Sequence, residues 1–392
     1  MNRTKLAAAI ATALLFTGSA GAGTIDDEIA VIKARLKQLE QQVQAQNRVI
    51  QEKDRQLEAL AEKPQRHKAA SGGWFQRIEL GGAVEVEAGY SDPDAGNGSS
   101  DIVVATAEVG IATQINDWVA SEITLLYEED EGSVDVDVAT ISIANPDRPW
   151  FISAGQQYLP FGSYQSNLVS DPLTLEIGET RETAVVAGFE SDGFTGGIYA
   201  FNGDVDEGGD DEIGSFGLFA GYGRESNGSS FRVNAGYISN IGDSDGLQQR
   251  INDNLGGSDF NHQVPGVTLD ALFATGPFTF IAEYTAATER FRMNELSFSG
   301  NGAQPSAFNI EAGYGFTLAG KEATAAIAYQ ETNEAVALGL AEKRIAAAIS
   351  VNIMENTALA FEWAHDDDYS AADGGTGENG GDRLTAQLAV EF

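Results

Sequence analysis

The sequence predicts an all-β transmembrane barrel of about sixteen antiparallel strands, preceded by an N-terminal α-helical coiled coil. Three observations carry that expectation. A secretory leader opens the chain, a four-three heptad seam follows it, and from residue 74 onward short runs of alternating polarity recur to the last residue. The connections between those runs are short and long in turn, the rhythm of a barrel with tight turns on one rim and loops on the other.

Arg3 and Lys5 precede an apolar run from Leu6 to Phe16, and Ala20-Gly21-Ala22 closes it, so residues 1–22 are expected to be a signal peptide. The chain has no cysteine, which excludes both a cysteine-borne lipid anchor and a disulfide framework. After the leader no stretch approaches the roughly 20 consecutive apolar residues of a membrane helix, and mean hydropathy is −0.19. Strands of alternating polarity escape such a scan, so a barrel stays open.

Charge is unevenly placed. Residues 1–73 carry 11 basic and 8 acidic side chains, whereas residues 74–392 carry 12 and 51. A net charge near −39 over the second part argues against nucleic acid or anionic lipid as partners and attracts cations.

Between residues 24 and 63 one seam position holds Ile29, Leu36, Val43, Ile50 and Leu57, and the other holds Ile25, Ile32, Leu39, Gln46, Lys53 and Leu60. Such a helix, a rod of about 54 Å, cannot leave its stripe in water. Isoleucine at both seam positions near its start favours three strands, so a homotrimer joined in the periplasm is expected. The alternative role for this segment is a tether toward peptidoglycan. Pro64 ends the helix, and residues 64–73 form a polar linker.

The barrel is expected over residues 74–392. Its first strand alternates Ile78, Leu80, Val84, Val86 and Tyr90 with Glu79, Glu85 and Glu87. Fifteen more runs follow, near 101–115, 118–127, 134–144, 150–157, 183–190, 194–202, 212–224, 229–240, 266–274, 278–289, 306–316, 321–330, 341–352, 356–366 and 382–392. The run at 134–144 switches phase midway. Aromatics mark two membrane interfaces: Tyr90, Tyr127, Tyr284, Tyr329 and Trp363 toward the outside, and Trp74, Trp118, Trp150, Phe278, Phe316 and Phe392 toward the periplasm. The last strand puts Leu384, Ala386, Leu388, Val390 and Phe392 on one face and ends on that aromatic, a signal for outer-membrane assembly.

Alternation points Glu85, Glu87, Glu108, Glu122, Glu283, Glu311 and Glu362 inward, with Arg383 and Gln387 opposite. So many carboxylates cannot sit unpaired in a dry interior, and a wet, cation-preferring lumen is expected. The long connection 158–182 follows the fifth strand and mixes Asp171, Glu176, Glu179 and Glu182 with Arg181. Leu168, Val169, Leu173, Leu175 and Ile177 give it apolar surface to pack on a barrel wall. A loop folded into the lumen there makes a constriction of opposed charges that sorts solutes by size and sign.

Acidic runs at 128–131, 204–212 and 366–368 suit loosely held Ca2+ or Mg2+, bridging outer loops to lipopolysaccharide, although none has the spacing of a full calcium loop. No resident cofactor or metal is expected. Only His67, His262 and His365 are available for acid-base work, and no catalytic constellation stands out.

With the heptad rod, Pro160-Phe161-Gly162, the DPLTLEIGETRE stretch at 171–182 and terminal Phe392 in view, the chain resembles the LbtU family of siderophore porins over its full length. The segment from Ser166 through Thr183 is the most specific part. The resemblance implies a sixteen-stranded outer-membrane porin with a periplasmic coiled coil, passing small solutes or ferric siderophores without a plug domain.

Overall fold

The computed structural model describes residues 78–129, 132–145, 147–205, 213–226, 228–256, 260 and 262–392. The expected signal peptide (1–22), coiled coil (24–63) and linker (64–73) lie outside the described residues, as does Trp74.

Sixteen strands close into one antiparallel barrel: β1 (Ile78–Pro93), β2 (Ser99–Gln114), β3 (Val119–Tyr127), β4 (Val134–Ala144), β5 (Trp150–Tyr158), β6 (Arg181–Ser191), β7 (Phe194–Phe201), β8 (Ser215–Ser226), β9 (Ser229–Ile238), β10 (Gly266–Thr275), β11 (Phe278–Ala287), β14 (Ser306–Leu318), β15 (Lys321–Asn333), β16 (Lys343–Met354), β17 (Thr357–Asp367) and β18 (Gly381–Glu391). The labels β12 (Ser297–Phe298) and β13 (Asn301–Gly302) belong to a small hairpin in the β11–β14 connection. Each expected run is one wall strand, and no boundary differs by more than three residues. Each wall strand pairs with its neighbour in sequence, and β1 pairs with β18 to close the ring.

Closure leaves the wall without an open edge, as a bilayer-spanning sheet requires. The seam runs from Ala83↔Glu391 to Pro93↔Gly381. Phe392 extends it by one step: its N–H donates to Gly82 O at 3.0 Å and its carbonyl accepts from Gly82 N at 3.1 Å. The Phe392 ring lies across Gly82 on the outer face.

The outer face carries exposed apolar side chains, among them Leu80, Ile102, Ile123, Ile198, Ile310 and Ile327. Tyr90, Tyr284, Tyr329 and Trp363 stand exposed on the long-loop side, and Trp118, Trp150, Phe278 and Phe392 on the short-turn side. A lipid-facing belt has this composition. The phase switch in β4 has a simple cause. Its register against β3 slips between Thr124 and Leu125, so Ile141 and Ile143 face outward beyond the bulge while Val134 and Val136 face outward before it. The slip turns Asp137 inward, where it is buried.

The packed core lies on one side, made by long connections rather than by the wall alone. Leu159, Phe161, Leu173 and Ile177 of the β5–β6 connection meet Ile241, Leu247 and Ile251 of the β9–β10 connection and Phe291 and Leu296 of the β11–β14 connection. Two helices serve this cluster: α1 (Leu175–Gly178) and α2 (Asp245–Leu255). α2 places Leu247, Ile251 and Leu255 on one stripe and ends at Gly256 in the left-handed region.

Because Phe392 supplies the last two hydrogen bonds of the seam, its deletion is expected to destabilise closure by about 1–3 kcal/mol. The check is the heat-resistant folded band on an unboiled denaturing gel, whose melting temperature should fall.

Candidate functional site

The β5–β6 connection, residues 159–180, turns into the barrel at a fixed neck where Leu159 N donates to Thr180 O at 2.8 Å. Behind the neck, Gly162 has φ +91°, a conformation other residues adopt only with strain. Tyr164 folds back so that its hydroxyl donates to Phe161 O at 2.8 Å, and its ring packs against both Gly162 and Gly178. A β-carbon on Gly178 would come within 2.1 Å of the Tyr164 hydroxyl oxygen. One tyrosine thus clasps the two ends of the connection, and the glycines of the Pro-Phe-Gly and Glu-Ile-Gly elements are what admit it.

From that clasp the segment Ser163–Thr174 crosses to the far wall, where inward side chains receive it. Ser163 Oγ donates to Asp270 at 2.7 Å. Glu311 accepts from Ser166 Oγ at 2.7 Å, Asn167 N at 2.8 Å and Asn167 Nδ2 at 2.6 Å. Glu362 accepts from Val169 N, Ser170 N and Ser170 Oγ. Leu173 N donates to Gln330 Oε1 at 2.9 Å, and Thr174 Oγ1 donates to Glu283 at 2.7 Å. Arg344 adds a hydrogen bond to the Asp171 carbonyl at 3.3 Å. The connection is therefore latched to β10, β11 and β14 to β17.

The wall from β1 to β4 receives nothing comparable. Glu85, Glu87 and Glu108 are half-buried and Glu122 is exposed, all pointing inward. Gln387 reaches from β18 to donate to Glu87 at 2.9 Å and, at 3.5 Å, to Glu85. A recess of about 530 Å³ lies between this wall and the connection, lined by Glu85, Glu87, Glu129, Val169, Asp171 and Gln387. On the connection's lumen side Asp171 and Glu176 keep contact with solvent. Near them stand two guanidiniums: Arg344 binds Asp366 through Nε at 2.8 Å, and Arg383 binds the same carboxylate at 2.9 Å. The lumen is thus half filled, with an open acidic lane on β1 to β3 and a small basic group beside it on β16 and β18.

Three of the expected lumen carboxylates need correction. Glu283, Glu311 and Glu362 do face inward, but at 5%, 1% and 5% exposure they line no water. They are the acceptors that hold the inserted connection. Arg181 and Glu182 also move: they begin β6 rather than ending the loop. Arg181 pairs with Asp137 at 3.0 Å, and Glu182 is buried. Asp366, placed by sequence both at the end of the run 356–366 and in an outer acidic run, is a buried wall residue. Among the described residues no three His, Asp or Glu side chains converge to cage a metal ion. Sequence reasoning missed the donors Ser163, Ser166, Asn167, Ser170 and Thr174. Their hydroxyls and amide recur through a short apolar stretch, and that recurrence was the available signal.

Where the connection meets α2, like charges crowd. Asp245 N donates to Glu179 O at 2.9 Å, and Asp245 Oδ1 accepts from Arg181 N at 3.2 Å. Burial, then repulsion from Asp245, Asp171, Asp137 and Glu176, pushes the Glu179 carboxyl up to about 7. Burial also lifts Asp245 to about 6, against the lowering effect of its Arg181 contacts. Burial likewise raises the carboxyls of Asp171 and Glu176, which sit deep in the barrel although solvent reaches them.

No family model matches the chain. It is 33% identical over 314 residues to the UPF0422 protein of Coxiella burnetii, covering 77% of this chain and 67% of the relative. A UPF0422 protein of Legionella pneumophila is 28% identical over 356 residues, covering 80% and 66%. The chain spans about two thirds of the length of these curated relatives. Among solved structures it is similar to the outer membrane channel DcaP of Acinetobacter baumannii, with a TM-score of 0.57 at 14% identity over 80% of this chain and 97% of that one. That likeness shows a porin-type barrel fold.

Two outcomes are expected of the latch. In Glu311→Ala with Glu362→Ala, six donors lose their acceptors, at about 1–3 kcal/mol for each buried group left unpaired. The connection should detach, and single-channel conductance should rise with more open-state noise. For the acidic contact, carboxyls raised in the folded state bind protons more tightly than in the unfolded chain, so the stability they lend is lost as pH rises from the ordinary carboxylate range to about 7. Hydrogen exchange of residues 159–180, corrected for its intrinsic pH dependence, should speed up across that window, and Glu179→Gln with Asp245→Asn should flatten the response.

Proposed function

The chain belongs to the UPF0422 family, and from that membership and the barrel's geometry we propose that it is a bacterial outer-membrane porin: a passive channel whose inserted β5–β6 connection sets the eyelet and whose acidic lane favours cations. The observation that carries this reading is the unequal treatment of the carboxylates. On one half of the wall they are consumed as hydrogen-bond acceptors for the connection; on the other, Glu85, Glu87, Glu108 and Glu122 keep access to the lumen. Charges in a narrow, low-dielectric passage concentrate counter-ions and repel co-ions.

Two finer features belong to the same proposal. The LbtU resemblance adds ferric siderophores to the cargo, and this lane suits chelates that are neutral or cationic, since an anionic chelate would enter against the field of Glu85, Glu87 and Asp171. Residues 24–63 would join three barrels on the short-turn side, which is then the periplasmic one.

In planar bilayers under a KCl gradient the purified protein should give discrete conductance steps and a reversal potential on the potassium side. Glu85→Gln, Glu87→Gln and Glu108→Gln combined should cut the cation-to-anion permeability ratio by about twofold or more. An absence of steps, or a reversal potential on the chloride side, would overturn the reading.

A further inference from the structure

The outer face of the barrel carries an interruption in its short-turn aromatic girdle. Trp118 and Trp150 contact at 5.5 Å, and Trp150 stands beside Phe189 in the β5–β6 register. On the other side Phe194 contacts Tyr222 at 4.4 Å, and Tyr222 contacts Phe231 at 5.5 Å. In the row of Phe189 the wall drops to Gly196 on β7 and Ala220 on β8, each two residues in from the aromatic of its own strand, Phe194 or Tyr222. The groove there has a volume of about 550 Å³, with Phe189 and Phe194 as its banks.

The groove ends in charge. Ser191 and Asp192 line its short-turn end. The β6–β7 turn that carries Asp192 also touches β8, where Gly223 N donates to Gly193 O at 2.8 Å, and Arg224 is the next residue of that strand. Asp192 and Arg224 are exposed, and neither forms an ion pair among the described residues.

We propose that this groove holds one acyl chain of a zwitterionic glycerophospholipid, phosphatidylethanolamine, with its ammonium at Asp192 and its phosphate at Arg224. An apolar slot continuous with the lipid-facing belt selects a hydrocarbon chain over a polar ligand. One acid and one guanidinium at its mouth match a headgroup of two opposite charges. The bulky aromatics on either side keep a mobile annular lipid from sliding past, so the bound lipid is retained where its neighbours exchange. The inference rests on the proposed membrane setting but not on conduction.

The test is native mass spectrometry of the full-length protein in a mild detergent, after incubation with phosphatidylethanolamine or with phosphatidylglycerol of matched chains. One phosphatidylethanolamine per barrel is expected to survive, with phosphatidylglycerol retained less. Ala220→Phe, which fills the groove from an exposed position, should lower that occupancy about tenfold. Asp192→Asn with Arg224→Gln should abolish the preference between the two lipids while some chain binding persists. The heat-resistant folded band and unchanged bilayer conductance serve as controls, because the groove lies outside the lumen. Equal lipid retention by wild type and Ala220→Phe overturns the inference, as does equal retention of the two lipids by wild type. If those failures come with normal conductance, the porin reading survives; a protein that folds, keeps its lipid and gives no conductance defeats that reading and leaves the lipid site standing.

Discussion

A buried carboxylate is tolerated only where enough donors reach it, and this barrel meets that condition by folding one of its own connections against the wall. Glu311 and Glu362 each take three hydrogen bonds from the segment 166–170, including three backbone N–H groups that would otherwise need water. The dependence runs both ways. Without the connection the wall would carry a cluster of desolvated or mutually repelling acids, and without the acids the connection would have exposed donors and no fixed path. Everything else in the lumen follows from where that pairing stops.

It stops at β18 and β1. The connection is too short to cover the whole inner circumference, and its Tyr164 clasp holds its base against the β9–β11 side through the apolar cluster of Phe161, Ile177, Ile241 and Ile251. The acids on β1 to β3 are left to water. The same residue type therefore serves two purposes on opposite halves of one sheet, and the division is geometric rather than compositional. The residues by which the chain resembles a porin family also acquire a physical meaning. Gly162 is required by its positive φ and Gly178 by the closeness of Tyr164. The intervening serines, asparagine and threonine are the donors of the latch.

The wall was legible because a closed sheet forces a period of two: lipid on one side and lumen on the other leave alternation in every strand, and turn residues punctuate it. Even the β4 irregularity showed in the sequence as a change of phase, which the bulge opposite Thr124 explains. The lumen was only partly legible. Alternation states that Glu311 points inward, but not what lies over it, because the answer is Asn167, about 140 residues away in the chain. The pairing of Asp366 with Arg344 and Arg383 was hidden likewise: Asp366 opens an acidic run, and its partners stand on β16 and β18, 22 and 17 residues away in the chain. The boundary at Arg181 escaped for a related reason. A charged residue at a loop end reads as loop, yet Asp137, turned inward by the bulge, gives this one a partner on the wall.

The electrostatics of the lane follow from these pairings more than from net charge. Arg344 and Arg383 share one carboxylate, so one of the pair's two positive charges is balanced and one is not. On the neighbouring strands, Glu85 and Glu87 have Gln387 as a neutral donor, and neither they nor Glu108 and Glu122 have a cation among the described salt bridges. The charge of the lumen is therefore lopsided, and the acidic strands β1 to β3 are its more exposed part. Deep placement raises the carboxyls of Asp171 and Glu176 on the connection, so the charge of the eyelet falls on acidification before that of fully solvated acids does. In the proposed channel a solute meets fixed negative charge along β1 to β3 and a partly neutralised basic pair beside it on β16 and β18. The passage proposed above would thus discriminate by sign along the acidic lane and by shape where the latched connection narrows it.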